Sequence, residues 1–235
     1  MTTAAPATAR ERARAEILRE IVETGRQHLA RDGAAGLSLR AVARDLGMVS
    51  SAVYRYVPNR DALLTLLIID AYDSLGTAVE RAERAVPRGD FPRRFLATAN
   101  AVRTWALAHP HEYALVYGSP VPGYAAPEDT IGPASRVPTV LVTILVDLED
   151  SGSAPAPQPV EPSVASSIEA MRTFTGGLVS DDLLLRGLAA WSTLLGAISQ
   201  ELFGHLHNVV ADGARARKAY FEHQMQQVAG GLGLT

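Results

Sequence analysis

The amino-acid sequence predicts an all-α fold in which a small three-helix unit at the N-terminus precedes a larger helical domain. Apolar residues recur with helical spacing in nearly every segment, and no segment shows the strict alternation of a half-buried strand. Near the N-terminus two very short helical patterns meet at Gly47, as in a helix-turn-helix. We therefore predict a flexible tail over residues 1–9, a helix-turn-helix domain over 10–58 and a helical domain over 59–235.

The N-terminal elements follow from the positions of apolar residues and of residues that end helices. Apolar residues on one face predict a first helix over residues 10–32, which a glycine ends. Ser38 is placed to cap a second helix of two turns that stops at Gly47. A third short helix is predicted over residues 50–56, because Pro58 disfavours its continuation.

Longer helices and two loops are predicted for the rest of the chain. Asn59 caps a fourth helix whose apolar stripe lasts to about Arg84. Proline and glycine mark a long loop at residues 118–133 and an extended surface linker at residues 152–162, after which the helical pattern resumes at Val164. The remaining helices are predicted over residues 91–108, 111–117, 134–149, 181–208 and 212–229.

The composition limits the class of protein. With 47% hydrophobic residues, the 235-residue chain can bury a substantial core. It has no cysteine, which excludes disulfides, thiol catalysis and cysteine-based metal sites and favours the cytoplasm. The most apolar stretch, residues 183–198, contains Arg186 and is too short to span a bilayer, so no membrane insertion is predicted.

Charge is distributed unevenly along the chain. The net charge is -3, yet residues 1–60 carry ten arginines against six acidic residues. The second and third predicted helices add hydroxyl, phenol and guanidinium groups, which reach the phosphates and base edges of DNA. Geometry alone also fits a plain three-helix core, but these exposed groups favour DNA binding. The predicted contacts are Ser38, Arg40, Arg44, Ser50, Ser51, Tyr54, Arg55, Tyr56 and Arg60.

The same region resembles the TetR family of transcriptional regulators. The resemblance covers roughly residues 15–67 and is carried by GLSLRAVARDLG at residues 36–47 and SAVYRYVPNRDALL at residues 51–64. It implies an N-terminal helix-turn-helix, a helical ligand-binding domain, homodimerisation and, usually, repression of transcription.

Carried over by position, the resemblance assigns roles to single residues. It implies that Arg40 contacts bases or the adjacent backbone, and that Ser50 and Ser51 enter the major groove. Phosphate contacts are implied for Tyr54, Tyr56 and Arg60. Val49 belongs to the same DNA-contacting set, but the family commonly has serine or threonine there. Because valine cannot cap a helix, we predict that Ser50 takes over the cap and shifts the helix start by one residue.

The C-terminal domain offers candidate ligand-binding residues. Residues 105–118 and 191–204 are similar to a TetR subgroup with a WHG-type C-terminal domain, although Leu195 stands where that subgroup usually has histidine. Its aromatic residues suit a pocket for an apolar small molecule with a few polar anchors, and they also suit an ordinary helical core. The predicted pocket residues are Trp105, His109, Tyr113, Tyr117 and Trp191.

The penultimate helix has two apolar stripes and therefore needs two packing partners. One stripe suits the core of its own domain, and the other, rich in small residues, suits close packing against a second copy of the chain. A central helix buried within one chain is the alternative. The predicted dimer-interface residues are Gly187, Ala190, Leu194 and Ala197.

No motif points to catalysis. The sequence has no phosphate-binding glycine loop, nucleophile elbow or His-Glu-x-x-His pattern, and its His109/His111 and His205/His207 pairs diverge on a helix. We predict no catalytic residue, metal or cofactor. The expected partners are double-stranded operator DNA, a second copy of the chain and an unidentified small-molecule effector. A small helical enzyme and a dimeric interaction module without DNA binding are the alternatives.

Overall fold

The computed structural model describes residues 8–234, and throughout this range the regular structure is helical. Residues 1–7 of the predicted tail lie outside the described residues. Thr8 and Ala9 do not belong to a tail, because Thr8 caps the first helix and exchanges hydrogen bonds with Glu11. The helices are α1 (Ala9–Gly36), α2 (Leu39–Asp45), α3 (Ser50–Val53), α4 (Arg60–Arg84), α5 (Phe91–Ala108), α6 (Pro110–Tyr117), α7 (Ile131–Asp150), α8 (Pro162–Ser167), α9 (Glu169–Phe174), α10 (Asp181–Leu202) and α11 (Ala214–Gly231).

Several helix ends differ from the prediction. The span of α1 runs to Gly36, but the backbone of Gly33 is non-helical, with a positive φ of 69°, so regular helix is interrupted at the glycine that was predicted to end it. Helix α3 is shorter than predicted and passes into turns after Val53. Helix α10 ends at Leu202, and the positive φ of Asn208 lies in the turns that follow. Helices α8 and α9 lie where the sequence predicted only that a helical pattern resumes at Val164, without bounds.

Packing divides the chain into two compact units. The first unit holds residues up to Tyr72 together with His111–Pro133, and the second holds Asp73–Pro110 together with residues from Ala134 on. The division falls within α4. The predicted domain boundary between residues 58 and 59 stays a prediction, since these units reflect contacts and not independent folding.

The core of the first unit joins α1 to α4. Ile21, Val42, Val53 and Leu63 are fully buried in one apolar cluster. Helices α1 and α4 approach closely at Gly25, where a Cβ atom would lie 3.3 Å from a methyl carbon of Leu67. This close contact fixes α1 and α4 relative to each other, and these two helices support α2 and α3.

Helix α5 is at the centre of the second unit and packs against α10 and α11. It buries two arginines, Arg94 and Arg103. The Nε of Arg94 donates to Glu83 on α4 at 2.6 Å, and its Nη1 donates to Asp147 on α7 at 2.7 Å. Burying a charge is costly unless it is paired, so these carboxylates hold α4 and α7 against α5.

Arg103 forms the second buried pair of α5. Its Nε and Nη2 donate to the two carboxylate oxygens of Glu201 on α10, at 2.7 and 2.6 Å. Both side chains are less than a tenth exposed. The guanidinium carbon also lies 5.4 Å from the ring centroid of Phe221 on α11, a cation–π distance. One side chain therefore connects three helices.

Two segments, Arg60–Arg84 and Glu128–Asp150, have the length and hydropathy of a membrane span. Neither was singled out from the sequence. Both contribute buried residues to the fold, for example Leu63 and Ile144. Core helices of soluble proteins meet the same criteria, so the two segments are weak evidence for a membrane.

The Arg103–Glu201 pair gives a stability prediction. Arg103→Met leaves the buried carboxylate of Glu201 without its partner, so we expect a loss of about 3–5 kcal/mol in the free energy of unfolding. Urea unfolding followed by circular dichroism measures it.

The matched control is Arg93→Met on the same helix, because the Arg93 side chain is 71% exposed and its pair with Asp90 is 3.3 Å long. This control should change stability by less than about 1 kcal/mol. The double variant Arg103→Met/Glu201→Leu should recover much of the loss. Equal losses for the two arginine variants would contradict the structural role of the buried pair.

Candidate DNA-binding face and effector site

Helices α2 and α3 form a helix-turn-helix built on the core of the first unit. Gly47 takes a positive φ of 65° in the turn between them, a conformation that favours glycine. The amide of Met48 donates to the carbonyl of Ala43 at 2.9 Å, which closes the turn. Val42 and Val53 face the core, so the opposite sides of both helices face solvent.

The helix starts differ in detail from the sequence prediction. Ser38 occupies the N-cap position of α2, but its side chain makes no capping hydrogen bond. Val49 occupies the N-cap position of α3, and Ser50 is the first helical residue. The predicted transfer of the cap to Ser50 is therefore wrong: the extended backbone of Val49 starts α3 without a side-chain cap.

The solvent side of the helix-turn-helix carries most of the predicted DNA-contacting residues. Arg40, Arg55 and Ser51 are exposed, and Tyr54 is 42% exposed. Arg44 is exposed too, with its Nε 3.6 Å from the adjacent Asp45. Ser38 and Ser50 are half-buried, whereas Val49 is 70% exposed. All the cationic side chains on this surface are arginines, which can bind phosphate oxygens in a bidentate geometry. We call this surface the basic face.

Two predicted phosphate contacts are already engaged within the chain. The guanidinium of Arg60 donates to the carbonyl oxygen of Ala34 at 2.7 Å, and this bond links the end of α1 to the start of α4. Tyr56 packs partly against the core, and the Arg14 guanidinium lies 5.3 Å from its ring centroid. The bond to Ala34 uses one of the five N–H donors of Arg60, and the phosphate contacts of Tyr56 and Arg60 stay predictions.

A buried histidine that the sequence reading missed connects α1 to α2. His28 is 1% exposed, and its Nε2 lies 2.8 Å from a carboxylate oxygen of Asp45. The other ring nitrogen lies 3.0 Å from Arg31. The hydrogen bond from His28 lowers the pKa of Asp45 below its ordinary value. This contact fixes α2 against α1 and so helps to hold the basic face in place.

The five aromatic residues predicted for the pocket occupy different surroundings. Trp105 and His109 stack in the second unit, with ring centroids 5.0 Å apart, and the Trp105 indole donates to Ser74 at 3.0 Å. Tyr113 and Tyr117 lie in the first unit, with centroids 5.2 Å apart. Burial raises the pKa of Tyr117, and the neighbouring tyrosines add to this. Trp191 lines a cavity of the second unit whose walls include none of the other four residues.

Trp191 lines a cavity within the second unit that is a candidate effector site. The cavity has a volume of about 190 Å³ and is partly open to solvent. Its walls come from α5, α7, α9, α10 and the segment that follows α11. We call it the apolar cavity and define it by Phe95, Leu141, Val142, Met171, Trp191 and Leu234.

The stripe predicted as a dimer interface is packed inside its own chain. Ala190, Leu194 and Ala197 are at most 7% exposed. Gly187 lines the apolar cavity, and a Cβ atom there would lie 2.8 Å from a methyl carbon of Leu145 on α7. The interface prediction must therefore be corrected, because these residues have little surface to offer a partner. The small-residue stripe of α10 therefore packs mostly within one chain.

A different face of α10 is left to solvent. Ala189, Ser192, Thr193 and Gln200 are exposed along it. The hydroxyls of Ser192 and Thr193 donate to carbonyls of their own helix at 3.0 and 2.8 Å. The exposed face is therefore made mostly of small side chains, and its two hydroxyl groups are already hydrogen-bonded. We call it the outer face of α10.

Comparison with known proteins places the chain among transcriptional regulators. Residues 95–228 match the family described as tetracyclin repressor-like, C-terminal domain. The chain is 46% identical over 205 residues to the HTH-type transcriptional regulator Mb1846 of Mycobacterium bovis, with 83% of this chain and 84% of that protein covered. The match does not test the WHG-type subgroup, which stays a prediction.

Solved structures share the fold. The crystal structure of regulatory protein SCO4313 has a TM-score of 0.76 and 32% identity, and the match covers 95% of this chain and 100% of that one. A TetR variant from Acinetobacter baumannii AYE, solved in complex with minocycline, has a TM-score of 0.52 and 14% identity over 90% of this chain and 93% of that one. The second similarity concerns the fold alone.

The His28–Asp45 contact predicts a pH-dependent contribution to stability. The folded pKa of Asp45 lies below its ordinary value of 3.8, so the contact stabilises the folded state above pH 3.8. This contribution is lost as the pH falls through the lower folded value. We expect Asp45→Ala to lower the melting temperature at neutral pH, and the difference from wild type to narrow on acidification below pH 3.8.

Thermal unfolding measured between neutral pH and strong acid checks this expectation. Glu16→Ala, which removes an exposed carboxylate from α1, is the control and should leave the melting temperature nearly unchanged. A difference between Asp45→Ala and wild type that stays constant across the whole range would contradict the assignment.

Proposed function

Because the chain belongs to the TetR family of transcriptional regulators, we propose that it is a repressor that binds operator DNA through its helix-turn-helix and releases it when a small molecule binds the helical domain. The basic face is the observation that carries this proposal. It combines exposed arginines, hydroxyls and a tyrosine on two short helices and on the turn that follows the second, and the other sides of both helices are buried in a core. A solvent-exposed surface of this kind fits the DNA backbone and the major groove.

Individual contacts follow from the exposure of each side chain. Arg40 on α2 is proposed to contact bases, while Arg44, Arg55 and Tyr54 contact phosphates. Ser50 and Ser51 begin the helix that enters the major groove, where hydroxyls bind base edges or phosphates. Ser38 and Tyr56 flank these contacts with half-buried side chains. Val49, exposed at the start of the same helix, offers an apolar surface suited to a thymine methyl group.

A homodimer is proposed as the DNA-binding form. The outer face of α10 supports it, because small side chains with hydrogen-bonded hydroxyls can pack closely against a second copy. A two-fold axis would then relate two helix-turn-helix units. Such a pair reads an inverted repeat whose half-sites lie one helical turn, about 34–36 Å, apart.

Effector control and location complete the proposal. A neighbour with the same fold was solved in complex with minocycline, which supports the proposal that this chain binds a small-molecule effector. The apolar cavity is the proposed binding site for that effector. A cysteine-free chain that acts on DNA suits the cytoplasm, with no membrane as partner.

The alternative of a small helical enzyme has no support, because the relatives of the chain are transcriptional regulators. The interaction-module alternative predicts no DNA binding, which the next experiment examines.

Arg40 and Arg55 should differ in their effect on DNA binding. Arg40→Ala removes a base contact, so we expect a loss of about 1–3 kcal/mol and a relaxed preference at one base pair. Arg55→Ala removes a phosphate contact, so it should weaken binding to all sequences and lower the salt slope by about one. Fluorescence anisotropy with a duplex from the chain's own upstream region, at several salt concentrations, measures both.

Arg81→Ala is the control, since Arg81 is exposed outside the basic face and lies in the second unit. Its affinity should stay within twofold of wild type. If Arg40→Ala and Arg55→Ala also stay within twofold at physiological salt, the basic face is not the surface that contacts DNA.

The outer face of α10 gives a prediction about the oligomeric state. Thr193→Arg places a long cation in the middle of this face, so the protein should sediment as the 25.0 kDa monomer, whereas wild type sediments at twice that mass. The matched control is Thr104→Arg on α5, where the threonine is also exposed. Sedimentation velocity at micromolar concentration distinguishes monomer from dimer for each variant. A Thr193→Arg variant that remains dimeric excludes this face as the interface.

A further inference from the structure

The apolar cavity carries no ionisable side chain on its walls. Its lining consists of leucine, valine, isoleucine, alanine, glycine, proline, phenylalanine, methionine and one tryptophan. A carboxylate or ammonium group of a ligand would lose its water there and find no opposite charge, which is strongly unfavourable. The indole of Trp191 is the one strong hydrogen-bond donor among these side chains. The lining thus selects for an uncharged molecule with few polar groups.

The volume of the cavity limits the size of that molecule. An engineered protein cavity of about 150 Å³ lined by leucine, isoleucine and phenylalanine stays dry and binds benzene. The apolar cavity, at about 190 Å³, is somewhat larger and has the same kind of lining. It therefore has room for one six-membered ring with small alkyl substituents.

Packing around the cavity keeps it from closing. The wall residues Ile144 and Leu184 are at most 1% exposed, so they are held by neighbours on their other sides. Gly187 leaves space on α10 where other residues would project a side chain. Leu232 and Leu234 are also buried and close one side of the cavity. A site held by several elements is pre-formed, which favours ligand binding.

We infer that the apolar cavity binds a small uncharged apolar molecule, of the class of alkyl-substituted monocyclic compounds. Its role as an effector rests on the proposed function. Two monocyclic probes test the class: p-xylene, and p-toluate, which replaces one methyl group by a larger, charged carboxylate. The protein has two tryptophans, so Trp105→Phe leaves Trp191 as the only one, and its emission reports on the cavity.

We expect p-xylene to change Trp191 emission saturably and, at ten times its dissociation constant, to raise the melting temperature by about 3–5 °C. The charged p-toluate should do neither. Equal binding of both probes would overturn the inference, as would no binding of p-xylene. The melting-temperature comparison uses the unsubstituted protein and two ligands, so it does not depend on whether any variant folds.

A pair of variants locates the binding. Val142→Phe fills the cavity and should abolish the response to p-xylene. Val140→Phe, on the same helix but lining a neighbouring polar groove, should retain it. Unchanged p-xylene binding by Val142→Phe would overturn the assignment to this cavity.

DNA release is measured separately, by anisotropy of the upstream duplex. If p-xylene binds the cavity but leaves DNA binding unchanged, the proposed effector control by this ligand class fails while the binding site stands. If the protein never binds the duplex, the proposed function fails, again without affecting the ligand measurements. Release of DNA by p-xylene and not by p-toluate supports both.

Discussion

The packing of the second unit depends on ion pairs to Arg94 and Arg103, the two arginines that α5 buries in its interior. A guanidinium group stays charged at any physiological pH, so its burial requires carboxylates at fixed positions. Arg94 obtains them from α4 and α7, and Arg103 obtains one from α10. Apolar packing alone would leave these helices some freedom to slide, whereas three charged pairs fix their register on α5. The apolar cavity lies among the same helices, and their fixed register helps to keep it open.

The first unit is held by a different balance of forces. Its core is an apolar cluster, and polar contacts act at its edges: Arg60 to Ala34, and His28 to Asp45. The side chains in these contacts are hydrogen-bonded within the chain. Arg40 and Arg55 are left exposed on the basic face, where they are available to a ligand. The polar residues that hold this fold together are thus separate from the exposed arginines proposed to bind DNA.

The sequence predicted the local structure better than the long-range contacts. The bounds of α5 were predicted correctly from a pattern that stops before Pro110, and in the structure Asp90 caps its first turn. The exposure of Arg40 on the polar side of α2, and of Arg55 in the turn after α3, also agrees with the prediction. By contrast, the burial of Arg94 and Arg103 depends on carboxylates up to 98 residues away, which no local pattern contains. The small-residue stripe of α10 was misassigned for the same reason, since its partners lie on distant helices.

The exclusive use of arginine on the basic face has a consequence for chemical modification. The cationic side chains of residues 1–60 are all arginines, and the sequence contains a single lysine, Lys218. Lysine acetylation removes a positive charge, but it has no target on this surface. Lys218 lies on α11 in the second unit, with a side chain that is 59% exposed. Amine-reactive dyes and cross-linkers that modify side chains will therefore attach outside the helix-turn-helix and leave its guanidinium groups intact.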